Sequence, residues 1–89
     1  MIISVFPNLN NNGVCDLAVN VVNKLISGGA EVYVPEEHKD IFVDTKAKFE
    51  IFDKAMSICD CAIAIGGDGT TLNIAKKAAF LGKPALGIN

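Results

Sequence analysis

Tryptophan is absent from the chain, tyrosine and histidine occur once each, and the three cysteines are an odd number. This cysteine count argues against a disulfide framework, and three thiols are too few ligands for a structural zinc site. We therefore expect Cys15, Cys59 and Cys61 to be reduced, with Cys61 a small core residue. The one histidine, His38, lies in a charged stretch and is expected at the solvated surface.

Long apolar runs and an excess of basic residues are missing as well. No apolar segment is nearly as long as a membrane-spanning helix, which needs about 20 apolar residues. The first residues do not resemble a secretory signal. The net charge of -2 provides no basic surface for nucleic acid. We expect a cytoplasmic protein that binds neither nucleic acid nor membrane. With 51% hydrophobic residues, the composition indicates one small folded unit.

Apolar periodicity predicts alternating strands and helices. The predicted strands are residues 2–6, 31–34, 61–65 and 84–88, and the predicted helices run from Val14 to a stop at Gly28-Gly29 and from about Thr71 to Gly82. Residues 61–65 are apolar without alternation, which is typical of an inner parallel strand covered on both faces. Residues 36–59 contain mixed signals: the apolar residues 41–43 and 49–52 could be strand or helix, whereas residues 53–59 have a helical pattern. The predicted class is α/β, with an open parallel Rossmann-like sheet and flanking helices.

A glycine-rich motif follows the strand predicted at residues 61–65, with the sequence Ile65-Gly66-Gly67-Asp68-Gly69-Thr70. Glycine allows the backbone to turn sharply and to approach a ligand closely. The helix that follows would offer unpaired N–H groups to a phosphate, and Thr70 or Thr71 is expected to cap it. Open parallel sheets bind ligands at the carboxyl ends of their strands. The motif therefore predicts a phosphate-binding turn.

Asp68 needs a role other than phosphate binding, because a carboxylate repels the anion that such a turn attracts. It could accept a hydroxyl proton, hold a metal ion or orient a ribose. The alternative is a plain Gly-Asp-Gly turn without function. We favour a functional turn because a strand precedes the motif and a helix follows it.

With this motif the chain resembles the NAD kinases, within a wider group that includes 6-phosphofructokinases and diacylglycerol and sphingolipid kinases. The similarity covers most of the chain and rests on the glycine-aspartate motif, on Leu72 and the alanines after it, and on residues 84–89. It implies transfer of a phosphoryl group from ATP to the 2′-hydroxyl of the adenosine ribose of NAD, giving NADP. Phosphoryl transfer makes a divalent ion, Mg²⁺, the expected partner. A homo-oligomer is expected for the full-length protein.

The resemblance also implies a phosphofructokinase-like sheet that continues into a β-rich second domain. Residues 1–89 then correspond to an incomplete amino-terminal nucleotide-binding domain, which we expect to be inactive alone. Asp68 matches the family's motif aspartate, which accepts the proton of the hydroxyl group. The expected backbone cradle consists of Gly66, Gly67 and Gly69.

Three further positions are assigned by the same resemblance. Thr70 would cap the helix and bind a phosphate, and Leu72 would lie at the nucleotide edge, although a core position suits it equally well. Asn73 departs from the family, in which many members have a larger basic or imidazole side chain there. Asparagine forms hydrogen bonds but does not neutralise phosphate charge. We expect Lys76 and Lys77 on the exposed face of this helix.

Two other functions remain open. A lipid kinase with the same motif would have Asn-Glu beginning two residues after Thr70, where this chain has Leu72 and Asn73. A non-catalytic nucleotide-binding module would use the loop for phosphate and Asp68 only to shape the turn. Dinucleotide-binding dehydrogenases are disfavoured because their glycine-rich turn follows the first strand, where this chain has residues 7–10 instead.

Overall fold

The computed structural model describes residues 1–88, which form a five-stranded, all-parallel sheet with helices on both faces. The strands are β1 (Ile2–Pro7), β2 (Glu31–Pro35), β3 (Lys48–Glu50), β4 (Cys61–Ile65) and β5 (Ala85–Ile88). The helices are α1 (Val14–Ser27), α2 (Phe52–Ile58) and α3 (Asp68–Phe80), with a short 3-10 helix at Glu36–His38. The predicted open Rossmann-like class is confirmed. Asn89, the last residue of the motif segment at 84–89, lies outside the described residues.

The two faces of the sheet have separate cores, because successive strand residues point to opposite sides. Helix α1 covers one face, where its Val14, Ala18 and Val22 pack against Val5 and Ile65. Helices α2 and α3 cover the other face, where they pack against a second set of buried residues, Phe6, Ala62 and Ala64. Both faces of β4 are thus buried, as the apolar run predicted.

The strand order β3-β2-β1-β4-β5 places the loops after β1 and β4 side by side. Strands β1 and β4 pair from Ile3 and Cys61 to Pro7 and Ile65, so both end at the same edge. From β1 the chain continues to β2 on one side, and β4 lies on the other. Such a reversal of direction opens a crevice at the carboxyl ends, where α/β sheets bind their ligands.

The segment that the sequence left unassigned contains several short elements. The apolar residues 41–43 lie in turns that span residues 39–44, so they form neither a strand nor a helix. Within these turns Phe42 is fully buried in the core beneath α1. Strand β3 pairs with β2 at the sheet edge. Helix α2 confirms the helical prediction for residues 53–59, and the buried Ser4 hydroxyl donates to Ala55 O at 2.7 Å and anchors this helix to β1.

Helix α3 begins at Asp68 and not near Thr71, so the predicted threonine caps are wrong. Gly67 holds the N-cap position with an extended backbone, and no side-chain cap bond forms. The helix begins early because the positive φ of Gly66, +151°, already turns the chain at the end of β4. Thr70 and Thr71 therefore lie within the first turn.

Two burial predictions are corrected, and one open alternative is decided. Of the two positions predicted for Leu72, the core is excluded, because this residue is 56% exposed and Ile74 and Ala78 are the α3 residues that face the sheet. Cys59 is the buried thiol of its pair, whereas Cys61 at the start of β4 is half-buried. The side chain of His38 is 22% exposed, since the 3-10 helix places it against the carboxyl end of the sheet. None of the described helices is long and apolar enough to cross a membrane.

Candidate functional site

The loops after β1 and β4 meet at the edge of the sheet. Asn8 N donates to Ile65 O at 2.8 Å, and the Asn8 side-chain amide donates to Thr70 Oγ1 at 3.1 Å. Asn8, just after β1, therefore ties the loop after β1 to the glycine motif through two hydrogen bonds. Gly66 N donates to Ile88 O at 2.9 Å, which ties the same motif to β5 on the other side.

Gly66 is the glycine that the backbone requires. Its φ of +151° lies in a region that other residues rarely adopt. A Cβ added there would lie 3.0 Å from Asn8 Cβ and 3.3 Å from Thr70 Oγ1. Because of the close approach of the β1 loop, a side chain at this position would force its neighbours to shift.

Gly67 and Gly69 are glycines of a different kind, because they face open space. A Cβ at Gly69 would meet no atom within 4 Å, and one at Gly67 would lie 3.7 Å from Asn11 Nδ2. Both residues are exposed. Their lack of side chains leaves the backbone of the motif accessible to a ligand.

The first turn of α3 offers donors for an anion. Thr71 N donates to Gly67 O at 3.1 Å, which is the first bond of the helical ladder. The N–H groups of Asp68, Gly69 and Thr70 precede that bond and have no partner within the helix. Together with the positive end of the helix dipole, these groups favour a phosphate.

Asp68 is exposed at the first position of α3. None of the ion pairs between described residues involves its carboxylate. It borders a cavity of about 400 Å³ beside β5, which we call the β5-side cavity and which Thr71, Leu72, Ala75 and Gly87 also line. Leu72 therefore lies beside Asp68 at the surface, as expected for a residue at a ligand's edge and not for a core residue.

Thr71 packs directly over Gly87 on this side of the site. A Cβ on Gly87 would lie 2.5 Å from Thr71 Cγ2, so β5 needs glycine at that point. The Thr71 hydroxyl is buried and has no hydrogen-bond partner among residues 1–88. This region of the site is thus closely packed although β5 itself is exposed.

A second cavity lies on the opposite side of α3, beneath the loop after β1, and we call it the β1-side cavity. Its volume is about 250 Å³. The rings of Phe6 and Phe52 line it and lie 4.8 Å apart between centroids. Its polar lining consists of Asn8, Glu37, His38, Thr70, Asn73 and Lys77. The Lys77 ammonium lies 4.4 Å from the centroid of the Phe52 ring.

The model of the ATP-NAD kinase N-terminal domain family matches residues 3–89. The chain belongs to the ATP-NAD kinase family. Curated NAD kinases match nearly the whole chain: that of Caldanaerobacter subterraneus subsp. tengcongensis is 35% identical, and that of Thermoanaerobacter pseudethanolicus is 32% identical, each over 98% of this chain. The NAD kinase of Bacteroides fragilis is 38% identical over 81% of it. The chain spans about 30% of the length of the first two relatives.

For this member of the ATP-NAD kinase family, the candidate site residues that the sequence predicted all lie at the amino end of α3 or in the turn before it. Asp68 and Leu72 lie on the β5 side, Thr70 and Asn73 lie on the β1 side, and the motif glycines lie between them. The sequence missed Asn8 and His38. Pro7 and Pro35, which end β1 and β2, were the available signals, because the residues after them reach the same edge as the motif.

Proposed function

We propose that this chain forms the glycine-loop domain of a longer polypeptide that phosphorylates NAD, using ATP as the donor. The observation that carries the proposal is the position of Asp68. Its exposed carboxylate follows the glycine turn directly and lies beside the uncapped N–H groups of α3. Membership of the ATP-NAD kinase family over residues 3–89 supports it independently.

In this proposal the 2′-hydroxyl oxygen of the adenosine ribose attacks the γ-phosphorus of ATP. The new P–O bond forms as the bond from the γ-phosphorus to the bridging oxygen breaks, and ADP leaves with that oxygen. Asp68 accepts the hydroxyl proton and later releases it to solvent. The N–H groups at the start of α3 bind phosphate oxygens and hold them in line with the attacking hydroxyl. A carboxylate is a weak base, so positioning and charge stabilisation provide most of the acceleration.

The part of the chain that the structure describes does not provide a cage for a metal ion. Residues 1–88 contain no group of three or more His, Cys, Asp or Glu side chains placed to hold one. We propose that Mg²⁺ accompanies ATP, because this ion is commonly held by nucleotide phosphates and waters with one or two carboxylates. Cytoplasmic location and homo-oligomeric assembly stay predictions from the sequence.

The test is an acceptor comparison on the longer polypeptide that contains this chain. It is incubated with ATP, Mg²⁺ and either NAD or a diacylglycerol, and NADP is followed with an NADP-specific dehydrogenase. Formation of NADP supports the proposal. A phosphorylated lipid without NADP would establish the lipid kinase alternative, and ATP binding without any turnover would leave a nucleotide-binding module.

We propose further that residues 1–89 alone lack this activity, since the chain spans about 30% of the length of its first two relatives. The same assay on the 89-residue chain is expected to yield little or no NADP. Turnover of about 1–100 per second, the range of typical kinases, would contradict this prediction.

A further inference from the structure

Asn8 is the residue through which the loop after β1 contacts the glycine motif. Its backbone N–H donates to Ile65 O at 2.8 Å, at the first residue of the motif. Its side-chain amide donates from Nδ2 to Thr70 Oγ1 at 3.1 Å, at the last residue of the motif. Asn8 is therefore fixed against both ends of the turn to which the proposed function assigns phosphate.

The orientation of the Asn8 amide follows from a contact within its own loop. Asn8 Oδ1 accepts the backbone N–H of Asn10 at 3.2 Å. A backbone N–H only donates, so the amide atom that faces it has to be the oxygen. The nitrogen of the same amide then faces Thr70, and an amide NH₂ group only donates. The Thr70 oxygen is therefore the acceptor in this pair.

This polarity leaves the hydroxyl hydrogen of Thr70 available for another acceptor. The hydroxyl groups that donate side-chain hydrogen bonds within residues 1–88 are those of Ser4, Tyr33, Thr45 and Ser57. Thr70 is not among them. It is only partly buried and borders the β1-side cavity, next to the unpaired N–H groups at the start of α3. Its O–H can therefore donate to the same ligand as those N–H groups.

An ionised phosphate oxygen suits this arrangement, because it accepts hydrogen bonds and has no hydrogen to donate. An acidic side chain at position 8 would reverse the polarity of the pair. Its carboxylate would accept the Thr70 hydrogen and turn it away from the phosphate. It would also bring a negative charge close to the anion. The side chain at position 8 thus decides whether Thr70 donates to a ligand or to its own neighbour.

We infer that Asn8 is a positioning residue for the proposed phosphoryl transfer. Its amide holds the Thr70 oxygen as an acceptor and so directs the Thr70 hydroxyl hydrogen to a phosphate oxygen of ATP. This inference rests on the function proposed above and deepens it. Asn8 acts through Thr70 and needs no contact of its own with the substrate.

The test replaces Asn8 by aspartate in the longer polypeptide that contains this chain. Asn8→Asp keeps the oxygen that accepts the Asn10 N–H, and it keeps a hydrogen bond to Thr70 with the direction reversed. The urea midpoint should therefore equal that of the control described below. The affinity for ATP with Mg²⁺, measured by calorimetry, is expected to fall about tenfold or more, because a hydrogen bond to a charged group contributes about ten- to hundredfold to binding.

The matched control is Asn10→Asp, which adds the same charge to the same loop. Asn10 is exposed and contacts Asn8 through its backbone N–H, which the substitution retains. Its affinity for ATP is expected to stay within about threefold of that of the unsubstituted protein, because an exposed charge is strongly screened. Equal losses of affinity in Asn8→Asp and Asn10→Asp would overturn the inference.

A second variant tests whether Asn8 acts through Thr70. Thr70→Val removes the hydroxyl group and nearly keeps the shape, so it should weaken ATP binding by about the same factor as Asn8→Asp. In the double variant the loss should be close to that of Thr70→Val alone, because no hydroxyl hydrogen is left to redirect. Fully additive losses, or ATP binding that survives in Thr70→Val, would contradict the inference. So would a lower urea midpoint of Asn8→Asp with its ATP affinity intact, the pattern of a purely structural role.

Failure of this inference is distinguishable from failure of the proposed function. If the unsubstituted protein forms NADP but Asn8→Asp binds ATP as well as Asn10→Asp does, Asn8 has no positioning role while the proposed function stands. If the unsubstituted protein binds ATP but forms no NADP, the proposed function fails. Selective loss of that ATP binding in Asn8→Asp would still support the role of Asn8, and its survival would overturn it.

Discussion

Alanine at two glycines of the same motif should change stability in opposite directions. At Gly66 the φ of +151° costs an alanine about 1–3 kcal/mol. Its Cβ would also lie 3.0 Å from Asn8 Cβ, and such overpacking costs about 1–3 kcal/mol more. With some relief by local shifts, Gly66→Ala is expected to destabilise the fold by about 2–5 kcal/mol. At Gly69 the helix has an ordinary φ and open space, so alanine should stabilise it by up to about 1 kcal/mol.

Urea denaturation followed by far-ultraviolet circular dichroism measures both effects in the 89-residue chain. With a slope of about 1–3 kcal/mol per molar urea, Gly66→Ala should lower the midpoint by at least about 0.7 M. The midpoint of Gly69→Ala should stay level or rise. Equal midpoints for Gly66→Ala and the unsubstituted chain, or equal losses at Gly66 and Gly69, would refute the assignment of strain to Gly66 alone.

Three further predictions concern the supports of the sheet edge and α2. Lys83→Met should lower the free energy of unfolding by about 1–2 kcal/mol, because the Lys83 ammonium donates to two backbone carbonyls near the end of α2 at 2.6 Å each. Lys76→Met is the control. A urea midpoint of Lys83→Met equal to that of the control would contradict the stabilising role of these two bonds. Ser4→Ala should lower the free energy of unfolding by about 1 kcal/mol, because it removes the buried hydrogen bond from the Ser4 hydroxyl to α2. Thermal unfolding measures this loss, and an unchanged Tm would contradict the prediction. Burial and the neighbouring Cys59 raise the pKa of the Cys61 thiol, so less thiolate forms at a given pH. Iodoacetamide should therefore label Cys61 more slowly at pH 8 in the folded chain than in urea. Equal labelling rates would show that the fold leaves this thiol unperturbed.

The order of the main elements was predictable because each has a strong local signal. The continuous apolar run at 61–65 predicts an inner strand without knowledge of its neighbours, and β4 is buried on both faces. Likewise, Gly28 and Gly29 end α1, and Gly29 adopts the positive φ of +97° that a helix stop favours. These signals depend on the backbone and on periodicity, which a single sequence contains.

The errors arose where tertiary contacts decide the outcome. Phe42 is buried in a turn whose sequence has no strand or helix period, so only its packing against the core explains its position. For Leu72 the sequence left the core and the nucleotide edge equally open, and only the packing of α3 shows that it lies outside the buried stripe of that helix. His38 lies in a charged segment, and its place beside the site follows from the strand order, which a single sequence does not reveal.

The candidate site was predictable in part for the same reason. The glycines and Asp68 form one contiguous motif, so their chemistry is visible in the sequence. Asn8 belongs to the site because β1 pairs with β4, 58 residues later along the chain as Ile3 meets Cys61. Such long-range partners have no local signature.

The most direct test of the account compares the longer polypeptide with its Asp68→Asn variant. Asparagine has nearly the shape of aspartate but no basic carboxylate, so it isolates the proton-accepting role. Turnover with NAD, ATP and Mg²⁺ is expected to fall by about 10²–10⁴-fold, while the affinity for ATP measured by calorimetry stays within about threefold. Full NADP formation by Asp68→Asn would contradict the central claim that this carboxylate accepts the hydroxyl proton.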